Sequence, residues 1–256
     1  MQRVDWRTAR RDIMATIVAD TASDAAAFAG DAITVVEWRD LPGRRRFDMP
    51  SKPFQIFTMG HGLVVSCHSD WLEWTRERAA SLDRNAFLAP SHISAIVSLL
   101  GPSGLELVGP QMRYGCSVDT LRDVKGLPGV ELSIVEGAAM GALGALGAFP
   151  NALSPRPNPL RPDTLAVTAS VSGEVIACAG ASDENGRLWQ IGVDVLEPWQ
   201  GRGIGRAIVH RLTEAILDAG KVPYYSHSIS NVRSAALATS LGFWPAWVQW
   251  YALEHR

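Results

Sequence analysis

Residues 195–216 read VLEPWQGRGIGRAIVHRLTEAI, and this stretch limits the fold more than any other. An apolar run breaks into glycine at three alternate positions, Gly201, Gly203 and Gly205, and then turns directly into an amphipathic helix. Glycines at that density give no side-chain packing and lose the most backbone entropy on folding, so the turn must require bare backbone. A strand entering a helix N-terminus leaves the first N–H groups without intrahelical acceptors, at the positive end of the helix dipole. Such a turn is an anion site. Two nucleotide motifs fail on the residues. A P-loop needs Gly-Lys-Ser/Thr, and here Gly205 is followed by Arg206 and Ala207. A Rossmann fingerprint from Gly201 needs glycine or alanine where Arg206 stands, one from Gly203 needs it where Ile208 stands, and the motif lies late in the chain.

The flanking pattern supplies a setting for that turn. Apolar runs predict strands at VELSIVEG, TLAVTASV, EVIACAGAS and RLWQIGVDV, with a hairpin turn at Ser172-Gly173 and a second turn at DENG. AAMGALGALGAF reads as a helix of small residues, and four prolines within 154–163 forbid regular structure there. A helix over 205–219, closed by Gly220, places Ile208, Leu212 and Ile216 on one face. A strand VPYYSHSIS, a helix from Asn231 to Leu241 closed by Gly242, and a last strand PAWVQWYAL complete the order. The first half predicts a short helix near 5–17, strands at 54–58 and 62–67, a helix capped by Asp70, and a helix at 91–100. Trp71 and Trp74 read as core anchors.

The fold class expected is α/β of the α+β type: a mixed, mostly antiparallel sheet flanked by helices, with an additional N-terminal α/β region. The expected division is 1–129 and 130–256, since the texture changes at 130. A net charge of −2 gives no global pull on nucleic acid or membrane, and neither partner is expected. Arg44, Arg45 and Arg46 read as a solvated loop, like Arg3, Arg7, Arg10 and Arg11. Three widely spaced cysteines, Cys67, Cys116 and Cys178, suit a reducing compartment, and the chain is expected in the cytoplasm. No histidine has metal-ligand spacing, so no metal is expected. Cys116 reads as a small buried thiol.

The segment QGRGIG resembles the Gln/Arg-x-x-Gly-x-Gly/Ala turn of the GCN5-related N-acetyltransferase (GNAT) superfamily. Val195 stands five residues before Gln200, as in that family, and NVRSAALATSLGF (231–243) is similar to its second signature. The resemblance covers the C-terminal half. It implies acetyl-CoA as co-substrate, with the amides of Gly201, Gly203, Gly205 and Arg206 around its pyrophosphate and Gln200, Arg202 and Ile204 shaping the turn. Val193 and Val195 would offer main-chain groups to pantetheine like an added strand, in the opening where two strands splay. Asn231 and Ser234 would lie along the pantetheine arm.

The resemblance further implies direct attack of an amine on the thioester through a tetrahedral oxyanion held by a main-chain N–H near Val195. An amine of pKa about 10.4 is only about one part in a thousand neutral at pH 7.4, a handicap of roughly 4 kcal/mol. A base removes it, and Asp194, Tyr225 and His227 are the candidates. Asp194 is a charge in an apolar strand, which needs a partner or a function. The family's tyrosine, four residues before the Gly-Phe glycine, is replaced by Ala238, so Ser234, Tyr225 or solvent would protonate the thiolate, or it would leave unassisted, the coenzyme A thiol being only weakly basic. The expected function is acetyl transfer to an amine of a small molecule or peptide. Residues 1–129 would complete the acceptor pocket or supply a homodimer contact. Trp189, the loop 155–162 and the aromatic C-terminal end would be pocket walls. The alternative is a degenerate acyl-CoA-binding or sensing protein.

Overall fold

The computed structural model describes residues 3–46 and 52–254. In chain order the elements are α1 (Trp6–Thr21), β1 (Ile33–Glu37), β2 (Phe54–Thr58), β3 (Leu63–Cys67), α2 (Ser69–Ser81), α3 (Arg84–Phe87) and α4 (Pro90–Leu100). There follow β4 (Leu105–Gly115), β5 (Glu131–Val135), α5 (Gly137–Ala145), β6 (Asp163–Val171), β7 (Glu174–Asp183) and β8 (Leu188–Val195). The last are α6 (Ile204–Asp218), β9 (Val222–Ser228), α7 (Val232–Ser240) and β10 (Trp244–Glu254). Pairing is mixed and mostly antiparallel, parallel at β1/β3 and β8/β9, and helices flank the strands.

Two compact units alternate along the sequence. One comprises the residues up to Ile13, Tyr114–Ser226 and Asn231–Pro245; the other comprises Met14–Arg113, His227–Ser230 and the chain from Ala246 onward.

In the second unit β2 lies antiparallel to both β3 and β10, and β1 runs parallel to β3. Phe54, Ile56, Leu63, Val65, Phe87 and Ile96 form its core, with Trp71 buried against them and Trp74 packed at the margin. Three local expectations are corrected here. The first helix runs on to Thr21, whose hydroxyl donates to the Ile17 carbonyl at 2.8 Å. His68, not Asp70, is the N-cap of α2, and Asp70 sits in the first turn. The expected solvated arginine loop is in fact largely buried: Arg44 is 2% exposed and Arg45 7%. Arg45 Nε donates to Asp20 Oδ2 at 2.7 Å, Arg45 NH2 donates to Gln249 at 3.0 Å, and the guanidinium lies 5.2 Å from the Trp247 ring centre. Arg44 Nε pairs with Asp40 at 2.5 Å and stacks on Trp38. A buried guanidinium needs such partners; Arg44 finds Asp40 four residues before it, whereas the hydrogen-bond partners of Arg45 are 25 and 204 residues away, too distant in sequence to be seen beforehand.

The first unit orders its strands β5, β6, β7, β8, β9. Ser172 and Gly173, at φ of 51° and 83°, make the two-residue hairpin turn between β6 and β7. In α6, Ile204, Ala207, Ile208, Leu212 and Ile216 are buried at helical spacing. Strand alternation then assigns two faces. Ile191, Val193 and Val195 face α6, where a Cβ on Gly205 would meet Val195 Cγ2 at 3.4 Å. Gln190, Gly192 and Asp194 take the other face, on which Met140, Phe149, Ala152 and Leu153 pack against Ala166 and Cys178. α5 ends at Ala145, earlier than the apolar run suggests.

Candidate functional site

The β8/β9 ladder stops at the Ile191–Tyr225 pair, yet β8 runs on to Val195. Leu196 N–H donates to the Ile176 carbonyl on the β7 side. Main-chain groups alternate along a strand, so the N–H and C=O of Val195, and those of Val193 two residues earlier, point toward the side that β9 has left. One of these groups is taken: Gln200 Nε2 donates to the Val195 carbonyl at 3.0 Å. Gln200 thereby ties the strand end to the glycine turn.

Gly201 and Gly203 have φ of 74° and 80°, a conformation in which a Cβ is strained. Gly203 is the N-cap of α6, and the first helical bond runs from Ala207 N–H to the Gly203 carbonyl. The N–H groups of Ile204, Gly205 and Arg206 accordingly have no intrahelical acceptor. They open into a cleft of about 780 Å³. Val193, Val195, Gln200, Gly201, Gly203, Ile204, Gly205 and Arg206 all line it, so eight of the eleven expected cofactor-binding residues meet in one place.

The other three sit differently. Arg202 lays its guanidinium over the Trp199 ring, 5.0 Å from its centre. Asn231 is the N-cap of α7, its side-chain oxygen accepting from Ser234 N–H at 3.1 Å. The Ser234 side chain acts on the Tyr225 phenol, lowering its pKa against the effect of burial. Sequence reading missed Trp199 and one face of α7, where Arg233, Ala236, Leu237 and Ser240 close the cleft. Their i, i+3, i+4, i+7 spacing was the available signal. With Arg206 and Arg233 on its walls and orphan amides at its floor, the cleft fits the phosphates of a coenzyme A.

The three candidate catalytic residues have distinct surroundings. Asp194 accepts three hydrogen bonds: from Asn151 N–H at 2.8 Å, Ala152 N–H at 2.9 Å and Asn151 Nδ2 at 2.6 Å. It fastens the 151–152 segment onto the sheet at a place made for it. Gly180 and Gly192 are cross-strand partners, and a Cβ on either would run into the carbonyl of Ala152 or Asn151. Tyr225 is 4% exposed, and burial holds its phenol above the ordinary value, opposed by Ser234 and reinforced by the Asp194 charge. His227 belongs to the other compact unit; its Nδ1 lies 2.8 Å from the Ser228 carbonyl.

All three cysteines are free and buried, and burial pushes Cys67 and Cys116 to about 11 and Cys178 to about 12. Among the described residues no group of three or more His, Cys, Asp or Glu is placed to hold a metal ion, and no helix is long and apolar enough to cross a membrane.

Residues 147–243 match the model of the Acetyltransferase (GNAT) family. That segment is a GNAT-family domain. It spans the glycine turn, the open edge of β8 and the cleft-lining face of α7. Among solved structures, the chain is similar to a GCN5-related N-acetyltransferase from Kribbella flavida, at 17% identity over 72% of this chain and 73% of that one, TM-score 0.47. A GCN5-related N-acetyltransferase from Sphaerobacter thermophilus shares 14% identity over 75% and 72% of the two chains, TM-score 0.46. A GCN5-related N-acetyltransferase-like protein from Streptococcus suis shares 20% identity over 64% and 68%, TM-score 0.44. No curated protein is significantly similar.

Proposed function

We propose that the GNAT domain binds acetyl-CoA in the α6 cleft and transfers the acetyl group directly to an amine. The observation that carries this reading is the meeting, in one cleft, of the glycine turn, the orphan amides of Ile204, Gly205 and Arg206, and the open main-chain edge at Val193 and Val195. In this reading the amides and Arg206 hold pyrophosphate, and the edge of β8 pairs with the pantetheine amides. When bound, acetyl-CoA supplies the acetyl group as a thioester. The neutral acceptor nitrogen forms a bond to the acyl carbon as the carbon–sulfur bond breaks, and the bonding pair leaves on sulfur. One proton leaves nitrogen and one arrives at sulfur.

Tyr225 is the residue we assign to that arrival. The family's tyrosine position holds Ala238, which is fully buried. Ser234 lies four residues before it, on the same face of α7. Tyr225, on β9, is near enough to that face for the Ser234 side chain to influence its phenol. A phenol kept protonated by burial is a suitable donor to a departing thiolate. Asp194 is assigned to holding the 151–152 segment, because its three hydrogen bonds already engage both oxygens. Three unpaired thiols fit a reducing compartment, the cytoplasm in this reading.

The replacement of tyrosine by Ala238 is the one observation that favours a second reading, an acyl-CoA-binding protein without turnover. Thiol release from acetyl-CoA, measured with a panel of amines, separates the two. Amine-dependent release supports the transferase; stabilisation by acetyl-CoA with release at background for every amine supports the binding protein.

A further inference from the structure

β5 lies at the outer edge of its sheet. It pairs antiparallel with β6 over Glu131–Val135, and among the described residues no other strand pairs with it. Its main-chain N–H and C=O groups are therefore open along one side. Edges of this kind are normally guarded by lysine, proline or a bulge. β5 reads Glu-Leu-Ser-Ile-Val, with neither lysine nor proline, and its register against β6 is unbroken. Both of its faces are open: Leu132 is 40% and Ile134 43% exposed on one, and Glu131 and Ser133 are exposed on the other.

The next element extends the same surface. Residues 137–150, GAAMGALGALGAFP, hold no polar side chain. A helix that is apolar on every side belongs in a buried setting. Within α5, however, only Met140 and Gly144 are buried. Ala138, Ala142 and, at the C-cap, Leu146 recur at every fourth position and are all exposed. Val135 and Met140 share one apolar cluster, which places α5 beside β5 on the face of Ala166. At Gly137–Ala145 the helix is far shorter than the roughly 20 residues that cross a bilayer. The only charges between Lys125 and Arg156 are Glu131 and Glu136, so the surface offers no cation to anionic lipid headgroups.

We propose that a second copy of this chain covers this surface: β5 pairs antiparallel with its counterpart about a two-fold axis at Ser133, and the two α5 helices pack together beside the junction. Self-complementarity of the strand decides the occupant. Centred on Ser133, the register sets Leu132 opposite Ile134 of the other copy and Glu131 opposite Val135, so no carboxylate meets its like. Ile134 aligns through Val167 and Ala179 with Val193, so the two leucines and two isoleucines form one apolar cluster on the α6 face. A five-residue strand supplies only part of the roughly 800 Å² that each partner of a stable dimer buries. α5 adds to it, and the small Ala138 and Ala142 side chains suit the close approach of two helices. The sheet then runs unbroken from one copy into the other. This contact is independent of what the α6 cleft binds.

The test is sedimentation velocity of the full chain across a concentration series. Expected for the wild type is a monomer–dimer equilibrium. Ile134→Lys should weaken association at least tenfold with the circular dichroism spectrum unchanged, because Ile134 is exposed in the single copy. Leu146→Glu should weaken it as well. Ser133→Cys should cross-link to its own counterpart on mild oxidation, with little background because the three native cysteines are buried. Glu131→Cys should not, since four residues of about 3.3 Å hold its two copies about 13 Å apart in this register. A dimer untouched by Ile134→Lys, or one that cross-links through Glu131→Cys in place of Ser133→Cys, overturns the proposal. A wild type that stays monomeric throughout also overturns it. Binding of that monomer to phosphatidylcholine vesicles would then assign the surface to lipid, and a monomer that ignores them would leave the edge to a strand of another protein.

Discussion

Replacing Asp194 with alanine deletes the two acceptor oxygens that take three hydrogen bonds from residues 151 and 152. A hydrogen bond to a charged acceptor contributes about 1.5–3 kcal/mol when water cannot take its place. The two bonds from Asn151 are exposed, and solvent replaces most of their value. The bond from Ala152 N–H is partly buried and keeps its share. The sum is about 2–4 kcal/mol, which corresponds to roughly a 30-fold to 1000-fold increase in local opening. Hydrogen exchange at the Ala152 amide, which also donates to the Phe149 carbonyl at 3.2 Å, reads the share that Asp194 supplies. The expected result is a loss of protection there in Asp194→Ala, with the α6 amides unchanged. Asp194→Asn retains one acceptor oxygen, so it should keep partial protection and turnover within tenfold of wild type once an acceptor is known. Unchanged exchange at Ala152 in the alanine variant would refute the anchoring argument. Turnover abolished in Asp194→Asn, with Ala152 still protected, would make Asp194 the general base.

Other perturbations address other parts of the structure. Gly205→Asp puts a carboxylate at the orphan amides in a backbone conformation that tolerates a side chain, so acetyl-CoA affinity by calorimetry should fall at least tenfold with the melting temperature nearly unchanged. Tyr225→Phe should lower thiol release more than tenfold at unchanged acetyl-CoA affinity. Because burial raises the native phenol above its ordinary value of 10.0, the native state holds that proton longer than the unfolded chain does. The Tyr225 contribution to stability is thus intact below about pH 10 and is lost as pH rises beyond it. Urea midpoints at pH 9 and 11 should show wild type losing more stability than Tyr225→Phe. Asp20→Ala strands the buried Arg45 guanidinium and should destabilise the protein by about 3–5 kcal/mol in urea titration.

The glycine turn, the hairpin at Ser172-Gly173 and the α6 stripe were legible because each is a local rule: positive φ, a two-residue turn, a 3.6-residue period. The α7 face bearing Arg233 and Ser240 obeyed the same period and could have been read. β4 was missed because Gly109 and Pro110 interrupt its alternation. The buried arginines defeated sequence reasoning for another reason. Arg45 is held by Asp20 and Gln249, 25 and 204 residues away, and no local pattern announces such partners. Asp194 was recognised as anomalous, but its partner at Asn151 became visible only once the segment was seen resting on Gly180 and Gly192.

The alternation of the two compact units along the chain has a consequence for biosynthesis. Each unit draws on residues beyond 226, one through Asn231–Pro245 and the other through Ala246 and its successors. A ribosome delivers the polypeptide from its N-terminus, and most domains can close once their own stretch has emerged. Neither unit here has that option. Both must wait in partial form until the residues around and beyond 245 have been translated, with Phe54, Ile56 and Phe57 of β2 made long before the β10 strand that pairs with them. Nascent chains of this protein are therefore expected to lean on chaperones more heavily than chains of equal length whose units are laid end to end.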